Sequence, residues 1–154
     1  MTSGARSVSR AALTALRLAL GALLVYGGGT KILSSYQFLD AVYSYELTGI
    51  RTGAIIAAWL PWLELLTGAL LLVGPLRAGA ALGAVLLGGV FVGAQSTALY
   101  RGIATPCGCF GSHEVVDAGT LLRAVAVLIV ATVLLIDAVA PVAESPALAP
   151  QAPT

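Results

Sequence analysis

The chain has 154 residues, of which 58% are hydrophobic and 10% are charged. A soluble domain typically carries roughly 25% charged residues, so this composition excludes that class, and it is too apolar for a disordered chain. The formal net charge of +1 provides no global electrostatic attraction to nucleic acid. With two cysteines, one chain cannot form a four-cysteine zinc module. The composition therefore indicates an integral membrane protein.

Four apolar segments are long enough to cross a bilayer, whose hydrocarbon core needs about 20 residues per helix. They are residues 11–29, 53–73, 78–99 and 119–140. Because backbone polar groups in lipid must be satisfied internally, these segments are expected to be helices. The sequence thus predicts an all-α fold, a four-helix transmembrane bundle that forms one domain over residues 1–140. The Pro/Ala-rich residues 141–154 are expected to be a disordered tail.

The first apolar segment has an alternative interpretation as a cleaved signal peptide, because it follows Arg6 and Arg10. Arg17 interrupts the apolar run, and the following Gly-Gly-Gly-Thr-Lys is a poor cleavage site, so a membrane span is preferred. An even number of spans places both termini on one side, and the two leading arginines favour the cytoplasm. A multi-pass cell-membrane protein with extracytoplasmic loops 30–52 and 100–118 is expected.

Aromatic and apolar residues recur at roughly helical spacing in loop 30–52, among them Tyr36, Phe38 and Tyr43. This spacing predicts a short amphipathic helix in the membrane interface, where aromatic rings prefer to lie. An aromatic belt that anchors the bundle is preferred over direct contact with a substrate.

Both cysteines, Cys107 and Cys109, lie in the second loop with Gly108 between them. Their Cα atoms are at most about 7 Å apart, and a bend at Gly108 brings them within the roughly 4.4–6.8 Å range of a disulfide. Such a ring is strained and therefore labile, and it is too short to stabilise the fold. A redox pair is thus a better explanation than a structural disulfide, with Cys107 expected as the exposed attacking thiol.

Metal binding is the competing interpretation of this loop. Cys107, Cys109 and His113 offer two soft ligands and an imidazole, which suit copper(I) or an incomplete zinc site. A structural zinc would need Glu114 or Asp117 as its fourth ligand, and the spacing matches no strong zinc template. His113 also fits a solvated loop histidine, and Asp117 a cap of the last helix.

Ionisable residues within membrane spans are costly and count as functional candidates. Glu64 lies near the middle of the second span and either pairs with a basic residue, stays protonated or relays a proton. Arg123, in the last span, is the expected partner of a carboxylate or a thiolate. Lys31 and Arg101 are also expected near the cysteines, where positive charge favours the thiolate.

Other polar residues of the spans carry weaker predictions. Arg17 and Asp137, near the opposite helix ends, need no functional account. Gln95, together with Ser96 and Thr97, either bonds between helices or lines a cavity beneath the thiols.

Taken in order, these features resemble the MauE family of DoxX-like membrane proteins over most of residues 15–137. The resemblance rests on Gly-Gly-Thr-Lys at 28–31, Phe38 and Tyr43, Leu-Pro-Trp-Leu-Glu-Leu-Leu-Thr-Gly at 60–68, Tyr-Arg-Gly at 100–102, Cys-Gly-Cys-Phe-Gly at 107–111 and Leu-Arg at 122–123. The Cys-Gly-Cys-Phe-Gly element is the most specific of these. The family is associated with maturation of the disulfide-rich small subunit of methylamine dehydrogenase, alongside a thioredoxin-like protein.

The resemblance implies extracytoplasmic thiol–disulfide exchange in a bundle similar to the quinone-linked vitamin K epoxide reductase type. It carries over Cys107 and Cys109 as the redox pair, with Lys31, Glu64 and Arg123 as the polar residues of the site. It also implies a thioredoxin-like partner and makes a membrane quinone a candidate cofactor.

The leading hypothesis is a membrane thiol–disulfide oxidoreductase. The first alternative is a non-enzymatic assembly factor whose cysteines bind copper, zinc or a partner. A small-solute carrier is the second alternative, which the few intramembrane charges disfavour.

Overall fold

The computed structural model describes residues 2–74, 76–107 and 115–143. Within these ranges the chain forms five helices, which are α1 (Thr2–Leu33), α2 (Ser35–Ser44), α3 (Ile50–Val73), α4 (Arg77–Arg101) and α5 (Ala118–Ala143). Among the described helices α1, α3, α4 and α5 are long and apolar enough to cross a membrane. The predicted four-helix transmembrane bundle is confirmed, and α2 is the short helix predicted in the first loop.

The helices are longer than the apolar segments that predicted them. Because α1 continues to Leu33, Lys31 belongs to a membrane-spanning helix and not to the following loop. Helix α5 continues to Ala143, so residues 141–143 of the expected tail are helical. The rest of that tail, residues 144–154, lies outside the described residues.

Glycines terminate two of the spans. Gly74 has φ +84° after α3 and donates its N–H to the Leu70 carbonyl at 2.9 Å. Gly102 has φ +65° after α4. Only glycine adopts this left-handed conformation without a steric penalty, so both positions end their helices at defined points.

The bundle is built from two close helix pairs, α1 with α3 and α4 with α5. A Cβ atom on Gly68 would lie 2.7 Å from the Gly21 carbonyl oxygen, and one on Gly28 would lie 2.7 Å from the Pro61 carbonyl oxygen. Small residues at these positions let the α1 and α3 backbones approach closely, as is typical of helices packed in membranes.

The bundle has two chemically different ends. The cysteine end is where α1 and α4 finish and α3 and α5 begin, and it holds a buried cluster of Tyr45, Ala98, Cys107 and Val116. The opposite half holds a purely aliphatic core of Leu20, Leu71, Ala80, Ala81, Ala84, Ala131 and Leu134. Helix α2 packs on α3 and α1 and buries Phe38 and Ala41.

Candidate functional site

A buried ion pair joins the end of α1 to the middle of α3. Lys31 Nζ lies 2.9 Å from Glu64 Oε1 and 2.8 Å from Glu64 Oε2, and each residue is only 2% exposed. Of the three states considered for Glu64, pairing with a basic residue is therefore the observed one. That basic residue is Lys31, which the extension of α1 beyond the apolar segment brings to Glu64. Arg123, the expected partner of a carboxylate or a thiolate, interacts electrostatically with the Asp117 carboxylate.

Two aromatic rings and a carbonyl complete the surroundings of the ammonium group. Lys31 Nζ lies 5.6 Å from the Phe38 ring centroid and 5.1 Å from that of Phe91, within cation–π range. It also donates to the Gly27 carbonyl at 3.5 Å. The interpretation of the α2 aromatics as an anchoring belt is wrong for Phe38, which is buried, whereas Tyr36 is 87% exposed and agrees with it.

Cys107 is held inside the bundle end. Its side chain is 4% exposed, so the expectation of an exposed attacking thiol was wrong. Gln95 Nε2, on α4, donates to Cys107 Sγ at 3.5 Å, and the Tyr45 hydroxyl donates to the Cys107 carbonyl at 3.1 Å. The Gln95 side chain is completely buried, and its hydrogen bond joins α4 to the cysteine loop.

The second cysteine lies outside the described residues, as do His113 and Glu114. The disulfide between Cys107 and Cys109 and the Cys-Gly-Cys-x3-His metal site therefore stay predictions. Among the residues that the structure describes, no group of three histidine, cysteine, aspartate or glutamate side chains could hold a metal ion.

The two flanks of the cysteine loop are bonded to each other, and the Tyr45 hydroxyl ties the first of them to the end of α2. The Val116 N–H donates to the carbonyl of buried Thr105 at 2.9 Å, and Pro106 and Val115 form an isolated β-bridge. These bonds fix the chain on either side of residues 108–114. The position of Cys107 is therefore set by tertiary contacts.

Helix α5 begins with the predicted cap. Asp117 Oδ1 accepts from the Thr120 N–H at 2.7 Å, and the Thr120 hydroxyl lies 2.9 Å from the Asp117 N–H. This reciprocal arrangement satisfies two N–H groups at the helix start. The backbone N–H of Thr120 lowers the pKa of the Asp117 carboxyl.

A partly open cavity of about 70 Å³ brings four of the five predicted site residues together. Lys31, Glu64, Cys107 and Arg123 all line it, with Phe91 on the α4 side. Arg123 is an exposed residue at its edge. A cavity of this volume has room for several water molecules.

A second cavity of about 110 Å³ lies under α2. Its walls are largely apolar and include Phe38, Tyr45 and Leu60, and Cys107 and Phe91 line both cavities. Cys107 and Phe91 therefore lie between the two cavities, the first of which also contains the Lys31–Glu64 pair.

The electrostatic environment of the sulfur differs from the prediction. Lys31 is neutralised by Glu64, and Arg101 Nη2 pairs with Glu46 Oε2 at 3.2 Å. Two of the three expected cations are thus engaged by carboxylates.

Sequence reasoning missed Tyr45 and Phe91 as site residues, because an aromatic residue among apolar neighbours gives no signal of its tertiary contacts.

The family comparison agrees with this architecture. The family model described as "Methylamine utilisation protein MauE" matches residues 9–137, a range that includes α2, α3, α4 and the cysteine loop. No curated protein and no solved structure matches the chain.

Proposed function

This chain belongs to the MauE family of membrane proteins, and we propose that it is a membrane thiol–disulfide redox protein whose reactive pair is Cys107 and Cys109. The observation that carries this proposal is the setting of Cys107. Its buried sulfur accepts a hydrogen bond from Gln95 and lines the same cavity as the Lys31–Glu64 pair. Polar groups buried in a membrane are costly, so their convergence on one thiol supports a chemical role.

The Gln95 amide stabilises the negative charge that develops on the Cys107 sulfur during disulfide exchange. Sulfur becomes negative when it attacks or leaves a disulfide, and the thiolate is the reactive form. A donor at 3.5 Å stabilises that charge in surroundings that contain little water. Gln95 is thus a neutral donor to the sulfur, in addition to the cation Arg123 that lines the same cavity.

The burial of Cys107 assigns different roles to the two cysteines. A folded partner protein cannot reach a thiol that is 4% exposed without local opening of the bundle end. We therefore assign Cys109 as the sulfur that exchanges with the partner and Cys107 as the resolving sulfur.

In the direction that oxidises the partner, the electron count is balanced without a further reagent. A partner thiolate attacks Cys109 Sγ, the Cys107–Cys109 bond breaks, and Cys107 leaves as a thiolate. The partner's second thiolate then attacks the mixed disulfide and releases Cys109. The partner becomes a disulfide, this chain becomes a dithiol, and two electrons and two protons have moved to it.

Renewal of the disulfide needs a two-electron acceptor, and a lipid quinone would supply this chemistry. The largely apolar cavity under α2 fits a flat ring, because Phe38, Phe91 and Leu60 line it and Cys107 forms part of its wall. The first cavity, which Cys107 also lines, contains the Lys31–Glu64 pair, whose carboxylate would accept or donate the protons that accompany the electron transfer.

The proposed partner is an extracytoplasmic protein of the thioredoxin type, because such proteins carry an accessible dithiol. The cysteine end then faces away from the cytoplasm. The opposite end then faces the cytoplasm, an orientation that Arg6 and Arg10 ahead of the first span favour by the positive-inside rule.

Single-cysteine variants test the proposed division of roles. In detergent, Cys107→Ser should form a mixed disulfide with oxidised glutathione at Cys109. Cys109→Ser should react at least about tenfold more slowly, because its remaining thiol is buried. The double variant Cys107→Ser/Cys109→Ser is the negative control, because it has no thiol that could react with glutathione. Equal rates for the single variants would contradict the assigned roles, and failure of the wild-type pair to exchange with any dithiol would contradict the function.

A further inference from the structure

A cavity of about 570 Å³ lies at the end of the bundle opposite the cysteines. Residues of α1, α3, α4 and α5 line it, and we call it the arginine cavity. Its charged residues are Arg10, Arg17, Arg77 and Asp137. The rest of its wall is Thr14 and the apolar side chains of Leu13, Leu71, Ala81, Leu134, Ala138 and Ala140.

The arginine cavity has an excess of positive charge. Three arginines and one aspartate give it a formal charge of +2. Among the described residues, no salt bridge joins Asp137 to any of these arginines. The three guanidinium groups therefore lie at one end of the bundle with a single carboxylate, which is in salt-bridge contact with none of them in the described part of the chain.

Arg17 is a partly buried residue of this cavity. Its Nε atom is buried and has no hydrogen-bond partner within the described part of the chain. Its Nη1 atom lies 2.8 Å from the position that a Cβ atom on Gly74 would occupy, so the guanidinium group passes close to the turn after α3. A buried donor without an acceptor costs free energy, which a bound anion would recover.

We propose that the arginine cavity binds a phosphate group, held chiefly by Arg17 and Arg77. Planar guanidinium groups suit phosphate because they bind its oxygens in a bidentate manner. Arg77 is the first residue of α4, so the unpaired N–H groups of that helix terminus add favourable polarity for an anion.

The apolar wall points to an anionic phospholipid as the source of that phosphate. A headgroup phosphate would meet the arginines while its acyl chains lie along the Leu13 and Leu134 side of the cavity. Basic pockets between transmembrane helices bind lipid headgroups in this way. The proposal gives Arg17 a role, whereas the sequence alone required no functional account of it.

Native mass spectrometry of the detergent-solubilised full chain tests the proposal. Phosphatidylglycerol, phosphatidylcholine and inorganic phosphate are titrated in separate arms. We expect one phosphatidylglycerol to bind about tenfold more tightly than phosphatidylcholine, and Arg17→Gln to weaken its binding by about tenfold. Inorganic phosphate that binds with the same Arg17 dependence while phosphatidylglycerol does not would support the phosphate site with a soluble ligand.

Two further variants make the outcome decisive. Arg77→Gln should also weaken phosphatidylglycerol binding. Because Arg77 is exposed, its substitution should not disturb folding, so this variant still tests the site if Arg17→Gln fails to insert into the membrane. Arg51→Gln, an exposed arginine at the cysteine end, should bind as the wild type does. Wild-type affinity in both Arg17→Gln and Arg77→Gln, or weakening in Arg51→Gln alone, would overturn the proposal. Glutathione exchange at the cysteines should be unchanged, so this test is independent of the redox function.

Discussion

The Lys31–Glu64 pair is the most demanding interaction in the molecule. Removing two charges from water costs several kcal/mol per ion, and only good geometry and further contacts offset that cost. Both Glu64 oxygens lie within 2.9 Å of Nζ, and two aromatic rings face the ammonium group. Loss of either partner therefore leaves a buried charge without compensation.

A double-mutant cycle tests this interdependence. We expect Lys31→Met and Glu64→Leu each to lower the free energy of unfolding by about 3–5 kcal/mol. The double variant should lose clearly less than the sum, because it leaves no unpaired charge. Reversible unfolding in mixed micelles provides the measurement. Additive losses would contradict a direct coupling between these two residues.

Gln95 donates a hydrogen bond to the sulfur of Cys107. Gln95→Leu keeps a comparable side-chain volume but removes the donor. Because a hydrogen bond to a charged group contributes about 1.5–3 kcal/mol, we expect disulfide exchange to slow by about tenfold or more. Stopped-flow reduction by dithiothreitol measures the rate. The control variant is Ser96→Ala, at the exposed neighbouring residue. Equal reduction rates in Gln95→Leu and Ser96→Ala would show that Gln95 does not contribute to disulfide exchange.

At the scale of elements, the α1–α3 contact positions the ion pair. Lys31 and Glu64 lie on these two helices, whose backbones approach closely at Gly28 and Gly68. The facing groups are carbonyl oxygens, which cannot move aside as a flexible side chain can.

Substitution of Gly28 should therefore force these helices apart. We expect Gly28→Ala to destabilise the fold by about 1–3 kcal/mol, because its Cβ atom would lie 2.7 Å from the Pro61 carbonyl oxygen. Gly89→Ala is the matched control, since no atom lies within 4 Å of its new Cβ atom. Thermal denaturation in detergent distinguishes them. A Gly28→Ala variant as stable as Gly89→Ala would show that the contact is not tight.

The elements themselves were predictable from the sequence, whereas their contacts were not. Hydropathy located all four spans, and helical spacing located α2, because both signals are local. The burial of Phe38 and Cys107 depends on how α2 and the cysteine loop fold back onto the bundle. Lys31 was predicted as a site residue, but its pairing with Glu64 follows from the length of α1 beyond the apolar segment.

At the scale of the whole molecule, different chemistry is concentrated at the two ends of one bundle. The cysteine end holds the buried thiol, the ion pair and two cavities, and the opposite end holds the arginine cavity. The proposed orientation places redox exchange outside the cytoplasm and the arginine cavity on the cytoplasmic side.

Accessibility labelling tests that sidedness. In a background with both cysteines changed to serine, the exposed residues Ala104 and Gly79 are replaced singly by cysteine. We expect Ala104→Cys to react with a membrane-impermeant maleimide in intact cells. Gly79→Cys should react only after permeabilisation. The reverse pattern would mean that the cysteine end faces the cytoplasm.

A redox titration of the purified wild-type protein tests the central claim most directly. Alkylation of the free thiols and mass measurement give the fraction of disulfide in buffers of defined potential. The redox function predicts a two-electron transition between Cys107 and Cys109, with a midpoint above the roughly −300 mV typical of structural disulfides. Cys107→Ser and Cys109→Ser should each abolish the transition. A midpoint below that value, or two thiols that stay reduced while holding stoichiometric copper or zinc, would contradict the redox function.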